Sequence, residues 1–298
     1  MWFLYALIAL LCWSGSDLFS KKGSRPEDTY SHWKMVMAVG VVMGLQAGYE
    51  IVFNQVAITF HDILQYLPAS AMYILSMIIG YVGLRYIELS ISSPICNSSG
   101  AVAAILCFIF LGQRLQPLQV VAVILVCAGV LGLGIVERRE NEAARQKRRE
   151  AADVRYRKSF LAILFPVLYC IIDALGTFAD SVILETMDET KANVSYELTF
   201  LFMAVVAFIY VVVIKKQRIF LRNEKSKMAA GVFETAGQLF YIPAIALNAV
   251  AAAPMISSYC VVSVLWSRIF LREKLSWKHY AVIFITVAGI AMLGFFDA

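Results

Sequence analysis

The chain has 298 residues, of which 60% are hydrophobic and 16% charged, with a formal net charge of +5 and a mean hydropathy of +0.73. A soluble domain carries about a quarter of its residues as Asp, Glu, Lys and Arg, so this composition excludes one. It reads as an all-α, polytopic membrane protein.

Apolar stretches of the roughly 20 residues that cross a bilayer fall at 2–20, 33–53, 66–87, 92–111, 118–136, 159–184, 194–214, 227–247, 251–271 and 277–296. They predict ten transmembrane helices, five in a first unit at 1–136 and five in a second at 159–298, joined by a linker at 137–158. The runs are continuous rather than alternating, which argues against barrel strands. Met1 to Trp13 lacks a basic start, and Lys21 and Lys22 follow it, so helix 1 is expected to be retained rather than cleaved as a signal peptide. On helix 2, Gly40, Gly44 and Gly48 form a strip of small residues. A neighbouring helix is expected to approach there, with a homodimer contact as the second reading. Pro94 and Pro254 are expected to open helices 4 and 9, and Pro166 and Pro243 to bend helices 6 and 8.

The linker, ERRENEAARQKRREAADVRYRK, reads as a charged helix with pairs such as Asp153 and Arg157 four residues apart. Basic residues beside a membrane are drawn to anionic headgroups by about 1 kcal/mol each. No nucleic-acid-reading module accompanies them, so nucleic acid is not an expected partner.

Residues 94 to 134 match 254 to 294 at an offset of 160, with eleven of forty-one positions identical. They are Pro94/Pro254, Ser98/Ser258, Val102/Val262, Ile109/Ile269, Phe110/Phe270, Leu111/Leu271, Leu115/Leu275, Ala128/Ala288, Gly129/Gly289, Leu133/Leu293 and Gly134/Gly294. Chance gives about three or four. An odd number of spans per half sends the second copy into the membrane the other way round, which predicts two inverted five-helix repeats with a site near the midplane. Of the 26 Lys and Arg residues, all but Arg114 and Lys191 fall on the side holding the linker. The positive-inside rule then places the linker in the cytoplasm and both termini outside.

Enzyme signatures are missing from the sequence: there is no GxSxG, HExxH or GxxxxGK[ST], and His32, His61 and His279 stand apart. Ser31 and Lys34 make a lone SxxK without further partners. The six cysteines lie within spans without CxxC spacing and read as small packing residues, so neither a metal nor another cofactor is expected. Asn193-Val194-Ser195 is a glycosylation sequon on the outer side, meaningful only in a eukaryote.

Polar groups inside the spans carry the functional argument, because charge at membrane depth is costly and is kept for a use. Asp173 lies about 21 Å into helix 6, the deepest carboxylate in the chain, and Asp180 lies near the outer face. Tyr169, Asp173, Thr177 and Asp180 share one face of helix 6, and Glu234, Gln238, Tyr241 and Asn248 share one face of helix 8. Such stripes line a cavity or bond to neighbouring helices. Asp17, Glu50 and Glu197 lie close to span ends, where they reach water. The deep charge is acidic, with Arg268 near a cytoplasmic end as the only basic group well inside a span. That favours a cation, helped by the rings of Trp13, Tyr73, Tyr81, Tyr169, Tyr241 and Tyr259. The expected substrate-binding set is therefore Asp173, Tyr169, Thr177, Glu234, Gln238, Tyr241, Asn97, Tyr259 and Tyr73. A desolvated carboxylate also competes for protons, so Asp173, Glu234, Asp180 and Asp17 are the expected proton-coupling residues.

Leu111-Gly112-Gln113-Arg114-Leu115-Gln116-Pro117-Leu118-Gln119 followed by Gly129, and Phe270-Leu271-Arg272-Glu273-Lys274-Leu275 followed by Gly289, resemble the loop between the last two helices of each half in EamA-like permeases of the drug/metabolite transporter superfamily. The chain departs from that pattern at Gln113, where the family commonly has Glu, and at Arg272, where it commonly has Gly. The resemblance implies a secondary transporter with a cavity lined mainly by helices 1, 3, 4, 6, 8 and 9, and substrates ranging over amino acids, sugars, choline and toxic amines. It makes Asp17 the counterpart of the acidic helix 1 residue of the small multidrug resistance proteins. It also implies cytoplasmic termini, opposite to the charge count, and the charge count is followed here.

Together these readings predict a non-enzymatic secondary active transporter in the cell membrane. Its substrate would be a small metabolite or drug-like solute, cationic or zwitterionic, moved by alternating access with proton coupling. A ligand sensor that moves nothing, and a lipid flippase, are the alternatives.

Overall fold

The computed structural model describes residues 1–23, 28–83, 95–112, 115–140, 160–219, 224–270 and 275–295. These are helical, with short connections, and no strand occurs among the described residues. In chain order the helices are α1 (Trp2–Gly23), α2 (Ser31–Val52), α3 (Phe60–Gly83), α4 (Ser99–Phe110), α5 (Pro117–Glu140), α6 (Phe160–Ile183), α7 (Glu189–Phe208), α8 (Lys225–Ser257), α9 (Tyr259–Phe270) and α10 (Trp277–Phe295). A π-helical stretch, Ile209–Ile214, extends α7. Among the described residues, seven stretches are long and apolar enough to cross a membrane, while Ile95–Phe110 and Trp277–Leu293 are apolar but shorter. Most of the linker, 141–158, and the loop residues Gln113, Arg114 and 271–274 lie outside the described residues.

The helix starts and stops have local causes. Asp28 opens α2 by accepting from the Tyr30 N–H at 3.0 Å, and it pairs with the Lys34 ammonium at 2.6 Å. Burial pushes its carboxyl up, but the Lys34 and Tyr30 hydrogen bonds outweigh that and hold it below the usual carboxylate range. Asp188 caps α7, accepting from the N–H groups of Thr190 and Lys191. Gly112 ends α4 with φ +63°, the left-handed conformation that suits glycine at this point.

Helices 8 and 9 depart from expectation. The break falls at Asn248, whose φ of −162° and ψ of 80° interrupt α8, and the helix resumes before Pro254 rather than opening on it. A second interruption comes at Ser258, and its match Ser98 interrupts the fourth helix in the same way. Ser98 N–H bonds the Ile95 carbonyl and Ser258 N–H the Met255 carbonyl, each three residues back, at 3.3 and 3.1 Å. The two breaks therefore repeat at the same offset as the sequence.

The chain forms two compact units, each built from both halves of the sequence. Unit 1 comprises Met1–Ala71 and Ala179–Asn248, and unit 2 comprises Met72–Phe178 and Ala249–Ala298. In unit 1, α2 lies against α7 so closely that a Cβ at Gly40 would come within 2.5 Å of the Phe200 carbonyl oxygen, and one at Gly44 within 2.7 Å of Leu201. Gly40 and Gly44 of the glycine strip thus make a helix contact within the chain, while Gly48 does not. In unit 2, α5 and α10 exchange the same device. A Cβ on Gly129 would meet Thr286, and one on Gly289 would meet the Ala122 carbonyl and Val126. Since Gly289 and Thr286 stand 160 residues after Gly129 and Val126, the two contacts are copies of each other.

Replacing Gly40 with Val should therefore destabilise unit 1 by about 1 to 3 kcal/mol, because backbone stands in the way. Gly48→Ala, whose Cβ would meet nothing within 4 Å, should be neutral or slightly stabilising. Thermal unfolding in detergent compares the two; equal effects would mean that α2 and α7 do not pack this way.

Candidate functional site

In unit 2 the candidate residues gather between α3 and α6. Asp173 is half-buried on α6. The Ser76 hydroxyl of α3 donates to its Oδ1 at 3.2 Å, and Ser99, the first residue of α4, is a further hydrogen-bond partner. One turn on, the Tyr73 hydroxyl donates to Thr177 Oγ1 at 3.1 Å, and the Thr177 hydroxyl reaches the Asp173 backbone carbonyl at 3.3 Å. Two glycines make this close approach feasible: the Tyr73 ring rests where Gly176 has no Cβ, and the Tyr169 ring where Gly80 has none. Pairs 73/177, 76/173 and 80/169 step in opposite directions along the two helices, so α3 and α6 run antiparallel here.

Among the described residues, this arrangement holds a carboxylate by hydroxyls alone, flanked by Tyr73 and Tyr169. Hydroxyls satisfy oxygen lone pairs without neutralising charge. Asn97 and Tyr259 are both partly buried and stand beside the matched breaks at Ser98 and Ser258. The side chains of Tyr81 and Arg268 lie outside the described residues.

Unit 1 holds the rest of the expected set. Trp13 of α1 lies against α8, its indole N–H donating to the Glu234 carbonyl at 3.3 Å and its ring 5.0 Å from that of Tyr241. Gly237 leaves the room for that indole. The Glu234 side chain is half-buried and Gln238 is buried, with no partner for its Nε2. Asp17 is half-buried on α1. Asp180 is fully buried and bonded by the Tyr66 hydroxyl of α3, whose ring meets Tyr196 edge-on at 6.5 Å. That contact gives Asp180 a helix-joining role.

The sequence alone did not single out Ser76, Ser99 or Tyr66, since hydroxyls in apolar helices are common. The one available signal was the three-residue step from Tyr73 to Ser76, which puts both on the same face of α3. Glu197 was misplaced. It is fully buried rather than at a wet span end, because α7 begins at Glu189, eight residues before it. Asn193 of the sequon is also buried inside α7, so it is closed to glycosylation in this fold.

The family model of the EamA-like transporter family matches residues 1–135 and again 160–295. The chain belongs to this family. As an EamA-like protein it is an integral membrane protein of the drug/metabolite transporter superfamily, and the two matches fall on the two halves that the internal repeat marks out. None of the curated proteins compared with it matches. Among solved structures, one crystal structure aligns with a TM-score of 0.69 over 98% of this chain and 96% of its own, at 13% identity. At that identity the likeness concerns the fold alone.

Removing the Tyr66 hydroxyl takes a donor from a buried carboxylate. Tyr66→Phe should cost about 1 to 3 kcal/mol of stability, read from unfolding in detergent. No loss would mean that other groups already satisfy Asp180.

Proposed function

We propose that this EamA-like protein is a secondary active transporter of a small cationic or zwitterionic solute, working by alternating access with proton coupling. The observation that carries the reading is Asp173, a half-buried carboxylate in mid-helix held by Ser76 and Ser99 hydroxyls beside Tyr73 and Tyr169. Apolar surroundings make its charge costly, and either a cation or a proton relieves that cost. Competition between the two for one carboxylate is the simplest physical basis for exchange.

We further infer that the two halves enter the membrane in opposite directions. Helices α5 and α10 carry the matched segments, and their contacts Gly129 to Thr286, Gly132 to Val282 and Gly289 to Val126 run antiparallel. Parallel copies would send both helices the same way. Packing of α1 on α8 supports the same symmetry: Phe233 lies over Gly15 much as Tyr73 lies over Gly176, the positions differing by the 160 offset to within one residue. The charge count supports external termini, a cytoplasmic linker and attraction of that linker to anionic headgroups.

The test uses protein reconstituted in liposomes, with internal pH followed while amines, choline-like cations, amino acids or sugars are added outside. Proton flux should accompany one cationic or zwitterionic class in the native protein and vanish in Asp173→Asn, with the variant still folded in the membrane. Unchanged coupling in the variant would remove Asp173 from the mechanism, and binding without uptake would make the protein a sensor.

A further inference from the structure

A second carboxylate, in unit 1, solves the same physical problem differently. Glu197 is fully buried on α7, and neither of its oxygens has a protein partner. One turn earlier on the same face is Asn193, also buried, with its amide oxygen unpartnered. Between them the buried Ser195 hydroxyl is unpartnered too. This face of α7 therefore carries the Asn193 amide oxygen and both Glu197 oxygens, none of which receives a hydrogen bond.

Among the described residues, the neighbouring elements add no positive charge. From α2 comes Glu50, the charge that acts on Glu197, itself engaged by Gln46 Nε2 at 3.0 Å and Asn54 Nδ2 at 2.7 Å. From α3 comes Tyr66 against Tyr196, with Asp180 bonded to its hydroxyl. Lys191, at the start of α7, is paired with Asp62 at 3.5 Å. An ionised Glu197 would thus stand desolvated beside another acid and without a hydrogen bond, a state that costs several kcal/mol. A positive charge must join it.

The ligands on hand select that charge. An alkali or alkaline-earth ion needs about six oxygen ligands, and no group of three or more His, Cys, Asp or Glu that could hold a metal occurs among the described residues. The α7 carbonyls around Glu197 are occupied in the helix ladder. We propose that Glu197 is a proton-carrying site in unit 1, separate from Asp173 in unit 2. Use of this proton in transport rests on the function proposed above, but its presence does not.

Infrared spectroscopy of the protein in liposomes, across a pH series and without substrate, tests the site. Carbon-13 labelling of glutamate carboxyls separates Glu197 from Asp173. The expected result is a protonated-carboxyl stretch that shifts with the glutamate label, disappears reversibly as pH rises, is lost in Glu197→Gln, moves in Glu197→Asp and survives Asp173→Asn. A band that ignores the glutamate label, or one unchanged over the whole pH range, would overturn the proposal. So would loss of the band on adding sodium at fixed pH, which would make the site one for alkali cations. The wild-type labelling and titration stand even where a variant does not fold. Retention of the Glu197 band with no solute-linked proton flux would defeat the transport reading and leave the proton site intact.

Discussion

A polar group in the hydrocarbon of a bilayer has no water to bond, so each one must be matched by the protein itself. Three carboxylates in this chain show three answers. Asp180 is fully buried and takes a tyrosine hydroxyl. Asp173 stays half-buried and takes serine hydroxyls, which leave its charge uncompensated. Glu197 is fully buried and takes nothing from the protein. Ordered this way, the carboxylates differ in what the protein offers them: a tyrosine hydroxyl, serine hydroxyls, or no hydrogen bond.

Close helix packing makes these arrangements attainable, and glycine is the means in each unit. A ring fits where a glycine lacks Cβ at Gly176, Gly80, Gly237 and Gly15. At Gly40 and Gly289 the neighbour is backbone itself. Without a hydrophobic driving force between helices in lipid, such close contact supplies much of the association energy. It also brings short hydroxyls such as those of Ser76 and Thr177 within reach of the facing helix.

The internal repeat gains physical content from the same contacts. Offsets of 160 relate Gly129 on Thr286 to Gly289 on Val126, and the break at Ser98 to the break at Ser258. Because the matched helices pack against each other, the matched residues meet in a shared interface. Each compact unit accordingly combines elements of both halves, an arrangement that a division of the chain at the linker does not convey.

Membrane class, helical fold and family were legible in the sequence, because hydropathy, period and motif are properties of consecutive residues. Asp173 stood out for the same reason, since depth along a helix can be counted. Which stripe residues meet water, which meet a tyrosine and which meet nothing was decided only by tertiary packing. Thr177 and Asp180 share a face with Asp173, yet α3 buries them and leaves Asp173 half-open. Glu197 was hidden by a polar first turn: Glu189 to Lys191 looks like a loop by hydropathy, but the Asp188 cap makes it helix and carries Glu197 two turns inward. Burial depends on what a neighbouring helix brings to each position, and no single segment of sequence contains that information.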